Sequence, residues 1–374
     1  MAKPGKTLNV AMIGHGFMGR AHSNAFRQVG CYFEIPYKLQ LKVICGRNRN
    51  EVQEFATTWG WEEAQSDWQS VVGRKDVDIV DVCAPNHLHG PIAIAAAEAG
   101  KIVLCEKPLA MDAAEAKRMA GAARSVPNLV WFNYRRVPAI ALAKELVEQG
   151  KIGQPYHYRA TYLQSWGPDP ERAGVWRFRK AEAGSGAMGD LLSHSLDLAL
   201  LLNGPITEVI SLIHTFIPGR DVDDAVLTLA RFANGSIGSF EATRFATGCR
   251  NRNYFEIHGS QGAIGFNLED LNRLEVFDRN DATVIQGAHD VLVTGPGHPY
   301  TSHFWPPGHI VGYEHTFIAT LADFLRCLAE ESTFHPNFDD AVEVQNLLEA
   351  VRSSAQNKLW MKVATSAEPT RVAS

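Results

Sequence analysis

Lys107, Asp190 and His194 are the residues of this 374-residue sequence best placed for acid–base chemistry. Lys107 directly follows the apolar run 102–105, and Pro108 fixes the chain direction just after it. If that run is a strand of a parallel sheet, Lys107 stands at its carboxyl edge, where ligands bind in open α/β folds. An ammonium there would hydrogen-bond a reacting oxygen and favour the negative charge that develops on it. Asp190 and His194 are 194 − 190 = 4 positions apart, so a helix puts them on one face, and Asp197 returns to the same side. The flanking carboxylates are expected to raise the affinity of His194 for a proton and to fix its tautomer, the arrangement a general base needs.

A second motif supplies a partner for that chemistry. Gly14, Gly16 and Gly19 form a complete G-x-G-x-x-G, with Phe17 and Met18 inside it, between the apolar run 8–13 and a segment of helical spacing from Phe17 to Val29. In that context Gly14 permits the turn, Gly16 lets backbone N–H groups approach a pyrophosphate, and Gly19 allows close helix packing. The helix N-terminus would face the phosphates. The dinucleotide is therefore NAD or NADP. At the end of the second strand the sequence reads Cys45-Gly46-Arg47-Asn48, with no carboxylate for a ribose 2′-hydroxyl, and Arg47 tilts the reading toward NADP.

The elements that position these groups follow a regular beat. Runs 8–13, 39–45, 77–83, 102–105 and 129–132 read as strands, with helices over 17–29, 51–59, 91–99 and 112–124 between them. Continuous apolar strands joined by amphipathic helices imply a doubly wound parallel sheet, covered on both faces. From residue 154 the pattern changes to longer alternating strands at 156–163, 208–216, 225–232, 236–243 and 254–258. Asn234-Gly235 reads as a two-residue hairpin turn. Helices over 190–202 and 313–328 would cover one face of this second sheet, and its other face is the expected place for subunits to pair.

Further segments carry a resemblance. Ala84-Pro85-Asn86-His87-Leu88-His89, Cys105-Glu106-Lys107-Pro108-Leu109 and Gly189-Asp190-Leu191-Leu192-Ser193-His194-Ser195-Leu196-Asp197 stand in order after the glycine turn. Together they resemble the GFO/IDH/MocA oxidoreductases. Asn133-Tyr134-Arg135-Arg136 and the loop 295–309 are most similar to the family's levoglucosan dehydrogenase branch. The resemblance implies an N-terminal Rossmann domain, set here at residues 1–136, and a C-terminal α/β domain with a large, mostly antiparallel sheet at 137–374. It also implies that Lys107 is an active-site residue. The expected reaction is oxidation of a sugar, anhydrosugar or inositol-like polyol by hydride transfer to nicotinamide. His194 would take the hydroxyl proton, Asp190 would orient His194, and Lys107 would polarise the oxygen. Pro85, Asn86, His89, Glu106, Asn133, Trp176 and Arg177 are expected beside the cofactor. Tyr134, Arg136 and Trp166 are expected around the substrate, with the loop 295–309 shaping the pocket. Two other readings of the same fold are an NAD-dependent glycoside hydrolase and a nucleotide-sensing regulator without turnover.

Composition narrows the remaining classes. The chain is 45% hydrophobic and 21% charged, with a net charge of 36 − 41 = −5, which suits a globular protein of two domains. It carries no basic cluster to neutralise phosphates, so nucleic acid is not an expected partner. No apolar run approaches the ~20 residues of a membrane span, and the N-terminal segment lacks a signal-peptide pattern. The six cysteines form no C-x-x-C pair, and although His87 and His89 could be read as metal ligands, no third ligand is placed. The expectation is a cytoplasmic enzyme without metal, a homodimer or homotetramer through the C-terminal sheet.

Overall fold

The computed structural model describes residues 5–172 and 174–364; the last ten residues assigned to the second domain, and the first four of the segment read for a signal peptide, lie outside these. Six strands, β1 (Lys6–Ile13), β2 (Tyr37–Cys45), β3 (Glu63–Gln65), β4 (Ile79–Val82), β5 (Ile102–Cys105) and β6 (Asn128–Val130), form an all-parallel sheet in the order β3-β2-β1-β4-β5-β6. β4 is buried at every position, and β1 and β2 are buried toward their C-terminal ends, because helices cover both faces there. Leu8, Val10 and Met12 of β1 join one core cluster, while Ala11 and Ile13 join the other. One face is covered by the helices Phe17–Tyr32 and Arg49–Trp59. Unexpectedly, the helix Tyr313–Ala329, far along the chain, packs beside Phe17–Tyr32 and shares its core through Phe317 and Leu321.

The second sheet has nine strands: β7 (Pro155–Leu163), β8 (Ile206–His214), β9 (Ala225–Phe232), β10 (Ile237–Thr243), β11 (Arg252–Gly259), β12 (Gly262–Asn267), β13 (Arg273–Asp278), β14 (Ala288–Leu292) and β15 (Met361–Lys362). Their order is β14-β13-β12-β11-β7-β10-β9-β8-β15; β7 and β10 run parallel and the other neighbours antiparallel. The helices Ser193–Asn203 and Phe338–Asn357 cover one face. On the other face Leu212, Leu227, Leu229 and Ile237 are exposed. The β9–β10 turn differs from the expected two-residue hairpin. Only Gly235 takes a positive φ (87°), and the Asn234 Oδ1 instead accepts the Ser236 N–H at 2.9 Å, so a side chain closes a longer connection. Among the described residues no helix is long and apolar enough to cross a membrane.

Candidate active site

A cavity of about 830 Å³ runs from the glycine turn after β1 to the helical segment around His194, lined by both sheets' loops. At its first end each glycine has a distinct steric reason. Gly14 sits at φ +115°, and a Cβ there would lie 2.4 Å from the Cys83 carbonyl oxygen. A Cβ on Gly19 would come 2.7 Å from the Gly14 oxygen, so glycine lets the helix close on the strand. A Cβ on Gly16 would meet nothing within 4 Å: the space beside it is open to the cavity. The helix Phe17–Tyr32 has no side-chain cap at Gly16, which leaves its first N–H groups to face an incoming phosphate. This cradle fits a dinucleotide. Phe17, Met18, Gly46 and Arg47 line the same end, joined by Glu51, Ser66 and Trp68. A Cβ at Gly46 would lie 2.3 Å from Nδ1 of His15 and 2.9 Å from Cγ2 of Val52, so glycine leaves room for both side chains as they stand.

The other end is built from side chains that converge from separate segments. Lys107 donates through Nζ to Asp190 Oδ1 at 3.0 Å and to the Asp190 carbonyl oxygen at 2.8 Å. Asp190 lies in a π-helical turn, Met188–Leu192, that runs into the helix Ser193–Asn203, so the regular α-helix expected over 190–202 begins only at Ser193. That turn is anchored by Asp223, whose two carboxylate oxygens accept the Gly186 and Met188 N–H groups, each at 2.6 Å. Gly186 must be glycine, because a Cβ would lie 1.7 Å from the Asp223 carbonyl oxygen. The second oxygen of Asp190 accepts from Arg244 Nη2 at 2.8 Å and faces Arg177 Nε at 3.6 Å. Burial alone would raise the Asp190 carboxyl, but Lys107, Arg244 and Arg177 together hold it well below the usual carboxylate range.

His194 lines this end but is arranged differently from expectation. Among the described residues its ring makes no hydrogen bond to Asp190; its contacts are aromatic, with the Tyr134 ring 4.5 Å away and the Tyr162 and Phe132 rings at 5.9 and 6.0 Å. Its affinity for a proton is lowered, not raised. Burial, then the charge of Lys107, push it well below the ordinary histidine range, against the opposing pull of Asp190. Asp197 plays no part there, because Arg135 occupies both its oxygens at 2.6–3.1 Å. The imidazole is thus held neutral, able to accept a proton, and oriented by packing.

Pro85, Asn86, His89, Glu106, Asn133, Tyr134, Trp166, Trp176 and Arg177 all line the cavity. Asn86 also ties the two halves together, its Nδ2 donating to the Ala183 carbonyl at 2.9 Å, and the His89 ring lies between the Pro108 and Ala84 carbonyls at 3.0 and 2.9 Å. Arg136 is a correction. Its guanidinium is bound to Asp323 (3.1 Å) and the His335 carbonyl (2.7 Å), stacked on Phe334, away from the cavity. The loop 295–309 is another: it packs on the end of the helix Phe17–Tyr32 through Tyr32–Phe304 and Phe33–His303 contacts and contributes no lining residue. Arg244, Tyr162, Gln164, Asn251 and Tyr313 belong to the site and went unnoticed in the sequence. For Arg244 a signal existed: a charged residue immediately after the alternating run that became β10. Tyr313 stacks on Phe17 at 6.1 Å and brings the helix Tyr313–Ala329 to the cavity wall.

Known proteins share this chain's sequence and fold. It matches the family description "Oxidoreductase family, NAD-binding Rossmann fold" over residues 8–134 and "GFO/IDH/MocA C-terminal domain" over residues 140–265. It is 42% identical to levoglucosan dehydrogenase of Pseudarthrobacter phenanthrenivorans, over 96% of this chain and 98% of that protein. It is 29% identical to myo-inositol 2-dehydrogenase of Thermotoga maritima, over 69% and 74%. A solved structure of levoglucosan dehydrogenase in complex with NADH and levoglucosan superposes with a TM-score of 0.94 at 43% identity, over 96% of this chain and all of that one.

Proposed function

This chain belongs to the GFO/IDH/MocA oxidoreductase family, and we propose that it is an NAD(H)-dependent dehydrogenase oxidising one hydroxyl of a compact sugar, with an anhydrosugar such as levoglucosan as its first candidate. The observation that carries this reading is the presence of the dinucleotide cradle and the Lys107, Asp190 and His194 side chains on one cavity. Full-length similarity to a levoglucosan dehydrogenase supports the substrate class.

Bound nicotinamide would supply the hydride acceptor. His194, neutral and buried, receives the hydroxyl proton through a ring nitrogen. Lys107 donates a hydrogen bond to the same oxygen as charge gathers on it. Asp190 holds the Lys107 ammonium in place, in contrast to the expected role of orienting His194, and Arg244 is a positioning residue behind Asp190. Trp166, Trp176 and Arg177 offer aromatic faces and guanidinium donors to the C–H faces and hydroxyl rim of a sugar ring.

At the adenosine end Arg47 favours a 2′-phosphate, whereas the Glu51 carboxylate on the same rim opposes it, and NAD(H) is the favoured cofactor. The division into 1–136 and 137–374 is proposed with one amendment: the helix Tyr313–Ala329 packs with the first unit. The exposed leucines of β8 and β9 make that sheet face the proposed contact of a homodimer or homotetramer. A cytoplasmic location, where nicotinamide pools are held, remains part of the same proposal.

The test is a cofactor-reduction screen over anhydrosugars, monosaccharides and inositols with NAD⁺ and NADP⁺. The expected result is a rise in reduced-cofactor absorbance with an anhydrosugar. Cleaved glycoside without net NADH, or no reduction with any of the panel, would contradict the reading.

A further inference from the structure

Asp81 occupies the middle of β4, in the apolar run Ile-Val-Asp-Val, and is fully buried. A carboxylate there requires partners. Oδ2 of Asp81 meets Nδ1 of His22 at 2.8 Å, and its Oδ1 accepts from Trp131 Nε1 at 2.9 Å. The other nitrogen of His22, Nε2, meets Oε1 of Glu106 at 3.0 Å, and Oε2 of Glu106 accepts the backbone N–H of Lys107 at 3.0 Å. Residues from the first helix, the fourth strand and the end of the fifth thus form one buried array. Cys83 lies within 4.8 Å of polar atoms of His22 and Asp81, but those atoms are already bonded, and burial pushes the Cys83 thiol up to about 12, so that it stays neutral.

The charge of this array follows from its geometry. An imidazole with a carboxylate oxygen at each nitrogen has one proton too few if it is neutral and both carboxylates are ionised. Either the ring carries both protons, or one carboxyl keeps the second. In both cases the sum is −1. Burial works against a charged His22, but the adjacent Asp81 raises its proton affinity well above the usual range, which places the charge as imidazolium between two carboxylates. Of His22, Asp81, Trp131 and Glu106, Glu106 alone lines the cavity. Lys107 and Arg177 on the same cavity, with Arg244 behind, surround Asp190, a sum of +2.

We propose that the Asp81–His22–Glu106 array delivers one negative charge to the cavity wall at Glu106, where it favours the cationic oxidised nicotinamide over the neutral reduced form. This rests on the nicotinamide-dehydrogenase reading above and adds a direction to it. The nicotinamide ring passes from +1 to neutral when it accepts hydride, so the array holds the oxidised cofactor for the reaction and weakens the hold on NADH afterwards. It offsets the cationic cluster on the substrate side, which serves the oxygen and would otherwise oppose NAD⁺. Glu106 acts on the cofactor, and His22 and Asp81 are positioning residues behind it.

The experiment measures dissociation constants of NAD⁺ and NADH for the full chain, without substrate, by quenching of tryptophan fluorescence. In Glu106→Gln the charge retreats to Asp81, off the cavity wall, and the ratio Kd(NAD⁺)/Kd(NADH) is expected to rise about tenfold or more. Asp81→Asn leaves a neutral His22 donating to an ionised Glu106, so the ratio should stay within about threefold of wild type, and Glu106→Asp should do the same. If Glu106→Gln does not fold, Glu106→Ala carries the same expectation. A Gln or Ala variant that binds both forms with the wild-type ratio overturns the proposal, as does Asp81→Asn shifting the ratio as far as Glu106→Gln. Wild-type protein that binds neither form overturns the cofactor assignment itself, a distinct failure.

Discussion

The two ends of the cavity are made of different materials. At the glycine turn the working groups are backbone N–H groups and missing Cβ atoms, all within six consecutive residues. At the other end they are charged and aromatic side chains from five separate segments: Lys107 after β5, Arg177 in the short 3-10 turn Trp176–Phe178, Asp190 and His194 on a helix, Tyr134 after β6, and Arg244 after β10, which reaches the site through Asp190. Function and fold therefore separate differently at the two ends. Backbone sites fail through shape and side-chain sites fail through charge, so substitutions at the two ends should have different signatures.

The largest separation is expected at the chemical end. Lys107→Met and His194→Ala should each lower kcat by about 10²–10⁴-fold, the usual contribution of acid–base groups. NADH affinity, measured by fluorescence, should stay within about threefold. A variant with full turnover would remove that residue from the mechanism. The converse substitution is Gly16→Val. Because a Cβ at Gly16 touches no protein atom, the melting temperature should not change, while the Kd for NADH rises about tenfold or more as charge-assisted contacts to phosphate are lost. Loss of folding in Gly16→Val would blur the contrast and contradict the open cradle.

Arg244→Met tests whether the charge at the substrate end is cooperative. With Asp190 left to Lys107 and Arg177, kcat should fall about tenfold at unchanged NADH affinity, and Arg244→Lys should recover part of it. A smaller effect concerns pH. Burial and Lys107 both disfavour protonated His194, so kcat/KM should hold steady as pH falls through about 6.5, with its acid limb lower still. Lys107→Met should move that limb upward. An acid limb above the ordinary histidine range in wild type would reverse the sign of the argument. The smallest expected change lies at the adenosine rim. Arg47→Ala should weaken NADPH relative to NADH by about threefold to tenfold, and Glu51→Gln should shift the ratio the other way; unchanged ratios would remove both residues from cofactor choice.

What could be read from the sequence follows the same division. The glycine turn was legible because its residues are contiguous and its constraint is local: a turn, a close approach, a helix start. The parallel sheet was legible because burial on both faces leaves continuous apolar strands. The side chains at 107, 190 and 194 could be nominated, but not their partnerships. Nothing near Asp190 in the chain announces that Lys107 and Arg244 claim its oxygens, or that Arg135 claims Asp197. His194 was expected to gain proton affinity from neighbours along its helix, whereas burial by Tyr134, Tyr162 and Phe132, together with Lys107, decides the opposite. Arg136 and the loop 295–309 were misplaced for the same reason: whether a polar or aromatic residue faces a cavity or another element depends on contacts such as Asp323 and Tyr32, which lie far away in sequence.

Whether Lys107 and His194 converge on one substrate oxygen is decided by a crystal structure with NADH and levoglucosan bound. The expected result is a single sugar oxygen within about 2.6–3.2 Å of both the Lys107 Nζ and a ring nitrogen of His194, with its carbon facing the nicotinamide. A sugar whose oxygens meet Lys107 and His194 separately, or which sits on the exposed sheet away from both, would contradict it.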